Sequence, residues 1–159
     1  MEPLTTLESK LCRALVRNGR ATWAELGILI GQSPPAAAEK VKRLEERGVI
    51  RAFSAQLDPE QVGYPLTAFV AVILDRPARR AGFLAAIQKL EQVLEMHHIA
   101  GAEDYLLKVV ARSTRDLDTF LGDILKSIPG VARTRTTIVL GTAKSAPITA
   151  PPPHSNLKR

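Results

Sequence analysis

Residues 22–50 read TWAELGILIGQSPPAAAEKVKRLEERGVI, and this stretch decides the fold of the first third of the chain. Thr22 is a favourable N-cap residue, and Glu25, three positions later, completes the pattern of a capping box. The helix that follows runs to about Ile30, where Gly31 supplies a stop signal. The pattern predicts a short helix followed by a turn that contains glycine.

A second helix follows that turn at once. Ser33 is another N-cap residue, and Pro34 takes the first helical position, where its missing N–H costs nothing. The helix is predicted over residues 34–47, and its apolar stripe consists of Ala37, Val41 and Leu44. Another helix is predicted over residues 6–18. Three helices with a tight turn between the last two indicate a helix-turn-helix, in which the third helix is the recognition helix.

The composition fits a protein that binds nucleic acid. The net charge is +6 and the isoelectric point is about 9.8, a balance that attracts polyanions. Cys12 is the single cysteine, so an internal disulfide is excluded and a small apolar filler is expected there. No apolar run approaches the ~20 residues that cross a bilayer, and residues 1–10 lack the features of a signal peptide. We therefore expect a cytoplasmic protein with no membrane partner.

The second part of the sequence alternates strand and helix patterns. Strands are predicted over residues 67–74, 93–100, 104–111 and 131–140. Helices are predicted over residues 78–90 and 114–127, the second of them capped by Thr114. This order predicts an α+β, ferredoxin-like βαββαβ domain, with one antiparallel sheet of four strands and both helices on one face. Residues 51–57 alternate loosely and are interpreted as a further strand.

The domain organisation follows from these elements. Residues 1–51 are predicted to form a winged-type helix-turn-helix domain, residues 52–65 a connecting strand and linker, and residues 66–142 the ferredoxin-like domain. Residues 143–159 are rich in proline and have no core-forming pattern, so a disordered tail is expected. The sheet would leave one apolar face uncovered, which predicts a homodimer through that face, with tetramers and octamers left open.

Three stretches of the sequence resemble the Lrp/AsnC family of transcriptional regulators. They are Ser33-Pro34 followed by KVKRLEERGVI at residues 40–50, GAEDYLLK at residues 101–108, and IPGV at residues 128–131 followed by TRT at residues 134–136. The likeness extends from about residue 4 to residue 142. It implies a sequence-specific regulator whose DNA occupancy is modulated by a small effector, an amino acid, bound at the ferredoxin-like domain.

Binding to double-stranded DNA requires cations for the phosphates and other groups for the base edges. Phosphate contacts are predicted for Ser33, Lys40, Lys42, Arg43, Arg47 and Arg51. The alternative is a helix exposed to solvent and stabilised by Glu–Lys pairs, because glutamates lie among these cations. The resemblance to the family favours DNA contact over this alternative. Base reading falls to Gln32, Pro35, Ala36 and Glu39. Alanine reaches only a thymine methyl, so DNA shape would contribute to specificity.

The resemblance also implies an effector site at the 101–105 hairpin. Backbone N–H groups around Gly101 and Ala102 would hold the effector carboxylate, and Glu103 or Asp104 would take its ammonium. Ala102 and Glu103 stand where the family often has an Asp and an aromatic residue. The alternative is an exposed hairpin in which Asp104 only favours the turn. The remaining residues assigned to this site are His98, Tyr105, Thr136 and Thr137, the threonines coming from a neighbouring subunit.

His97 and His98 are adjacent on a predicted strand, so their side chains point to opposite faces and cannot share a metal ion. We expect no metal site and no cofactor. The sequence has no dinucleotide-binding, phosphate-loop or nucleophile-elbow motif, so no enzymatic activity is expected. Two alternatives remain open. One is a haem-pathway decarboxylase of similar architecture, and the histidine pair is the reason to retain it, because such enzymes use histidines near this hairpin. The other is a ligand-binding protein that has lost DNA binding.

Overall fold

The computed structural model describes residues 3–148, which divide into two compact units. One unit contains the chain up to Gln56 and is helical, and the other spans Leu57–Ala143 and contains a sheet. Of the predicted tail, residues 149–159 lie outside the described residues, and residues 143–148 contain no helix or strand. None of the described helices is long and apolar enough to cross a membrane.

The helical unit consists of α1 (Thr6–Arg17), α2 (Trp23–Ile30) and α3 (Pro34–Glu46), which confirms the three predicted helices. The capping box at Thr22 is formed, because its hydroxyl accepts the Glu25 N–H while the Glu25 carboxylate accepts the Thr22 N–H. Apolar side chains from all three helices meet in one core, which consists of Leu11, Cys12, Leu15, Leu26, Ile30, Ala37, Val41 and Leu44.

Residues 51–57 do not form a strand in the described chain, contrary to the prediction. Each of these residues is exposed, including Phe53 and Leu57, and no neighbouring strand pairs with them. Strand propensity largely reflects packing on a half-buried sheet surface. The loose alternation in this segment has no such surface within the described chain.

The second unit contains four antiparallel strands, β1 (Leu66–Leu74), β2 (Val93–His98), β3 (Tyr105–Ala111) and β4 (Val131–Ile138). Their spatial order is β2-β3-β1-β4. This order confirms the ferredoxin-like arrangement, in which the first and third strands are central. The helices between the strands are α4 (Arg80–Ile87), preceded by a 3₁₀ turn at Pro77–Arg79, and α5 (Thr114–Thr119), which continues as a π-helical stretch at Phe120–Leu125.

The start and the interior of α5 differ from the prediction. Ser113, and not Thr114, is the N-cap residue, because its hydroxyl accepts the Asp116 N–H at 3.1 Å. Both residue types cap helices well, so the local sequence does not choose between neighbours. The change to π-helical hydrogen bonding at Phe120–Leu125 is likewise invisible to apolar periodicity, which marks a buried face without specifying the hydrogen-bond spacing.

Both helices cover the same face of the sheet. Phe83 and Ile87 of α4, together with Leu117 and Phe120, pack against the strand residues that face them. Those strand residues are Ala68, Val70, Val72, Tyr105, Leu107, Val109 and Ala111. Alternation along each strand places Phe69, Ala71 and Ile73 of β1 and Leu106 and Val110 of β3 on the opposite face. We call this second face the open face of the sheet.

Candidate DNA-binding and effector-binding sites

The turn between α2 and α3 depends on a glycine within α2. A β-carbon built on Gly27 would lie 2.7 Å from the Gln32 carbonyl oxygen, closer than real contacts allow. The Gln32 N–H donates to the Gly27 carbonyl at 2.9 Å, so the two segments are in direct contact. Gly31 completes the turn with φ of 66°, a left-handed conformation that glycine adopts without strain. This turn exposes Gln32 and Ser33 at the start of α3.

The outer face of α3 carries cations that already have helical partners. The Arg43 Nε lies 3.1 Å from the Glu39 carboxylate, and the Lys42 Nζ lies 3.8 Å from the Glu46 carboxylate. These i,i+4 pairs leave about two thirds of each cationic side chain exposed, at 67% for both Lys42 and Arg43. Exposed pairs of this kind contribute little, so a phosphate can compete for either cation.

The remaining residues predicted to contact DNA differ in their exposure. Pro35 and Arg51 are exposed, whereas Ala36 and Lys40 are half-buried. The Ser33 hydroxyl accepts the Ala36 N–H at 3.4 Å and thereby caps the helix. The arrangement keeps a polar surface with exposed lysine, arginine and glutamate side chains on α3, opposite its buried stripe.

Arg47 is placed differently from the other cations of α3. Its guanidinium forms an ion pair with Glu8 of α1, and its side chain is only 30% exposed. The Glu8 carboxylate also accepts the Thr5 N–H at 2.7 Å. This backbone hydrogen bond, with Arg47 beside it, holds the pKa of Glu8 below its ordinary value. Arg47 therefore joins α1 to the end of α3, a structural role that the sequence analysis missed.

The hairpin of residues 99–104 is tied to β1 by Asp104. The Asp104 carboxylate accepts the Leu74 N–H at 2.7 Å, and the Asp104 N–H donates to the Val72 carbonyl at 3.0 Å. Gly101 is exposed, and nothing lies within 4 Å of the position that a β-carbon would take there. Asp104 thus does more than favour a turn, because it fixes the hairpin to a strand 30 residues earlier.

Two cavities flank this hairpin, and they divide the predicted effector residues between them. The first, of about 240 Å³, is lined by His98, Asp104 and Tyr105 together with residues of the β1–α4 connection. We call it the β1–α4 cavity. The second, of about 300 Å³, is lined by Ala102 and Glu103 together with Ala71, Ile73, Arg133, Thr134 and Arg135. Gly101, Thr136 and Thr137 line neither cavity of the described chain.

Arginines that the sequence analysis did not assign to the effector site lie beside the carboxylates of the two cavities. Glu103 forms an ion pair with Arg135, and only 16% of its side chain is exposed. Arg76 and Arg80 line the β1–α4 cavity with Asp75. None of these arginines lies near the hairpin in sequence, so only an alternation pattern on β4 or knowledge of the fold would have pointed to them. Glu103 is therefore paired with an arginine of β4, Asp75 with its neighbour Arg76, and Asp104 with the backbone of β1.

The two adjacent histidines face opposite sides of the sheet, as the alternation rule predicts. His98 pairs in register with Tyr105, and their ring centroids are 5.2 Å apart. His97 lies 3.1 Å from the Glu95 carboxylate, which also accepts from Lys108 at 2.9 Å. The Lys108 bond, and then the His97 contact, lower the pKa of Glu95. Across residues 3–148, no group of three or more His, Cys, Asp or Glu side chains is arranged to hold a metal ion.

Comparison with known families assigns both units. Residues 4–51 match the family described as winged helix-turn-helix DNA-binding. Residues 67–148 match the Lrp/AsnC ligand binding domain, which covers half of the chain. The chain belongs to the Lrp/AsnC family. It is a transcriptional regulator with a helix-turn-helix and a ligand-binding domain, as the resemblance implied.

Curated relatives of this Lrp/AsnC protein are regulators. It is 39% identical to the HTH-type transcriptional regulator LrpA of Mycobacterium tuberculosis, over 89% of this chain and 93% of the relative. It is 38% identical to the leucine-responsive regulatory protein of Haemophilus influenzae, over 89% of this chain and 86% of the relative. The relatives are thus similar along almost their whole length.

Solved structures share the fold of the Lrp/AsnC protein. A transcriptional regulator of Neisseria meningitidis, solved as its L-Met complex, has a TM-score of 0.85 and 31% identity, covering 90% of this chain and 94% of that one. The feast or famine regulatory protein of Mycobacterium tuberculosis, complexed with L-methionine, has a TM-score of 0.85 and 38% identity, covering 91% and 97%. Both structures hold an amino acid.

Proposed function

We propose that this Lrp/AsnC protein binds double-stranded DNA sequence-specifically through α3, and that an amino acid bound beside the 99–104 hairpin changes its DNA occupancy. The observation that carries the proposal is the exposure of two cations on the outer face of α3. Lys42 and Arg43 remain 67% exposed despite their glutamate partners, while the opposite stripe is buried in the helical core. The match of residues 4–51 to a winged helix-turn-helix DNA-binding family supports DNA contact over a helix that is only solvated.

The effector part of the proposal is supported by the surroundings of the hairpin. Two cavities of small-molecule size lie on either side of it, and both contain carboxylates and arginines. These groups match the ammonium and carboxylate of an amino acid. Two structural relatives were solved with L-methionine, which supports the same class of ligand. The expected coupling between effector and DNA is about 1–3 kcal/mol, a modest shift in affinity.

The proposal also includes a homodimer formed through the open face, and such dimers could associate into tetramers or octamers. Phe69 is 39% exposed on this face, and Ile73 and Leu106 are half-buried there. The Lys108–Glu95 and Arg135–Glu103 pairs neutralise charge around these apolar residues. A symmetric pair would bury this surface and would set two α3 helices against one DNA duplex.

The test is footprinting on DNA that flanks the gene for this protein, with and without each of the twenty amino acids. Lys42→Ala/Arg43→Ala is expected to weaken binding and to flatten the salt dependence by about one unit of slope per lost contact. Arg115→Ala/Lys126→Ala removes two exposed cations from the other unit and serves as the control. An unchanged salt slope in a folded Lys42→Ala/Arg43→Ala protein would remove the assignment of α3.

The decarboxylase alternative gains no support from the site. His97 and His98 lie on opposite faces of the sheet, and His97 is engaged by Glu95. A ligand-binding protein that had lost DNA binding would show effector binding without a footprint. The footprinting experiment therefore separates that alternative from the proposal.

A further inference from the structure

We infer that Glu39 sets the base preference of α3, because its carboxylate accepts a hydrogen bond from cytosine in the major groove and repels the phosphates of misplaced DNA. This inference rests on the proposed DNA-binding function of α3, and it names the residue and the base that carry the specificity. It is drawn from the position of Glu39 on the helix, from the residues around it and from the hydrogen bonds that a carboxylate can form.

Glu39 lies on the side of α3 that faces away from the helical core. It follows the buried Ala37 by two residues and precedes the buried Val41 by two, which places it opposite the buried stripe in a helix of about 3.6 residues per turn. Its side chain is 54% exposed. Residues in the N-terminal part of a recognition helix contact base edges. A helix docked in the major groove by this outer side therefore presents the Glu39 carboxylate to the bases.

The residues that precede Glu39 in α3 have no polar side chains. The helix begins with the sequence PPAAAE, in which Glu39 is the final residue. Ala36 and Ala38 are half-buried and offer only methyl groups, which can touch a thymine methyl but form no hydrogen bond. Pro35 is exposed and has no N–H to donate. Side-chain hydrogen bonds from the first half of α3 to base edges therefore fall to Glu39.

The chemistry of a carboxylate restricts what Glu39 can bind. An ionised carboxylate accepts hydrogen bonds and donates none. In the major groove, guanine and thymine present acceptors, whereas cytosine N4 and adenine N6 donate. The N7 acceptor of adenine lies beside N6 and repels a carboxylate, whereas cytosine has no acceptor beside N4 in this groove. Glu39 therefore favours a C·G pair, and it weakens any docking that places it against a phosphate.

Arg43 positions the Glu39 carboxylate for this contact. The Arg43 Nε lies 3.1 Å from the Oε1 atom of Glu39, four residues earlier on the helix. The other carboxylate oxygen, Oε2, has no hydrogen-bond partner within residues 3–148. One oxygen is thus held by the helix, and the other is available to cytosine. The terminal nitrogens of Arg43 remain for the proposed phosphate contact.

Selection of bound sequences from a randomised DNA library tests the inference on the full chain, with the wild type and three variants. Glu39→Ala removes the carboxylate, and Glu39→Gln removes its charge but keeps an acceptor for Arg43. Glu45→Gln is the matched control, because it removes the same charge from the side of the helix, one residue after the buried Leu44. Both glutamates are exposed, so each variant should fold.

The wild type is expected to require a C·G pair at one position of its selected site, and any other pair there should weaken its binding by about tenfold. Glu39→Ala should lose this preference and should bind random-sequence DNA about fivefold more tightly. Glu39→Gln should prefer an A·T pair at the same position, because an amide donates to adenine N7 and accepts from N6. Glu45→Gln should keep the preference for C·G.

The same selections separate this inference from the proposed function. If the wild type selects a sequence and Glu39→Ala selects the same one with equal discrimination, the proposed function stands and the inference is wrong. An A·T pair at the position that depends on Glu39 in the wild-type site has the same meaning, as does a control variant that loses the preference for C·G. If the wild type selects no sequence, the proposed function fails and the inference fails with it.

Discussion

Arg47 is the C-cap residue of α3 and is paired with α1. Because its guanidinium pairs with Glu8, Arg47→Ala should lower the free energy of unfolding by about 1 kcal/mol. Lys42→Ala removes only an exposed pair, so its stability should stay within about 0.5 kcal/mol of the wild type. Denaturant unfolding of the full chain measures both variants. Wild-type stability in Arg47→Ala would contradict the structural role.

Glu8 makes the same contact sensitive to acid. Its pKa is lowered in the folded protein, first by the Thr5 N–H bond and then by other contacts that include Arg47. The stabilisation is therefore fully present above the ordinary glutamate pKa of about 4.3 and is lost as the pH falls through the lowered value. Glu8→Gln should lose less stability than the wild type between pH 7 and pH 3. An equal loss in both proteins would show that Glu8 does not contribute to acid sensitivity.

Asp104 combines a structural bond with a candidate ligand contact, and two substitutions separate them. Asp104→Asn keeps an oxygen that can accept the Leu74 N–H, so the fold should be retained while binding of the effector ammonium weakens by about tenfold. Asp104→Ala leaves the N–H without an acceptor and should also cost about 1–3 kcal/mol of stability. Titration with the effector and thermal unfolding report the two effects. Full effector affinity in Asp104→Asn would place the ammonium elsewhere.

At the scale of elements, the helix-turn-helix depends on a close approach at Gly27. Gly27→Ala places a methyl group 2.7 Å from the Gln32 oxygen, so the turn must shift and DNA affinity should fall with stability. Gly82→Ala in α4 is the matched control, because nothing lies within 4 Å of its β-carbon and alanine favours a helix by about 0.5–1 kcal/mol. Thermal unfolding should show a lower melting temperature for Gly27→Ala and a higher one for Gly82→Ala. A Gly27→Ala protein as stable as Gly82→Ala would show that the turn tolerates the methyl group.

At the scale of the whole molecule, we propose that the open face of the sheet controls assembly. Phe69→Glu places a charge on this face and is expected to give monomers at micromolar concentration, whereas the wild type is expected to be dimeric or larger. Ile28→Glu changes a side chain of the helical unit that is 83% exposed, and it should leave the assembly unchanged. Light scattering during size-exclusion chromatography measures the mass. A folded wild-type monomer would refute the dimer.

Much of the fold was readable because its signals act over short stretches of chain. The capping box at Thr22 and Glu25 joins residues three positions apart, and the strand alternation that separates His97 from His98 repeats every two residues. The order of strands and helices then leaves few topologies. The local sequence could not decide between Ser113 and Thr114 as the N-cap residue of α5, because both residue types cap helices well. It also could not distinguish the π-helical stretch that follows α5 from an ordinary α-helix, because both bury an apolar face.

The sequence by itself therefore determined the two kinds of domain, the three helices of the helix-turn-helix and the hairpin at which an effector is proposed to bind. Only the tertiary structure decided what each charged side chain faces. Arg47 meets Glu8 across 39 residues, and Asp104 meets the Leu74 N–H across 30. Arg80 reaches the cavity beside Tyr105 because β1 and β3 are paired in the sheet. Local propensity extends over a few residues, whereas such contacts exist only once packing has brought distant segments together.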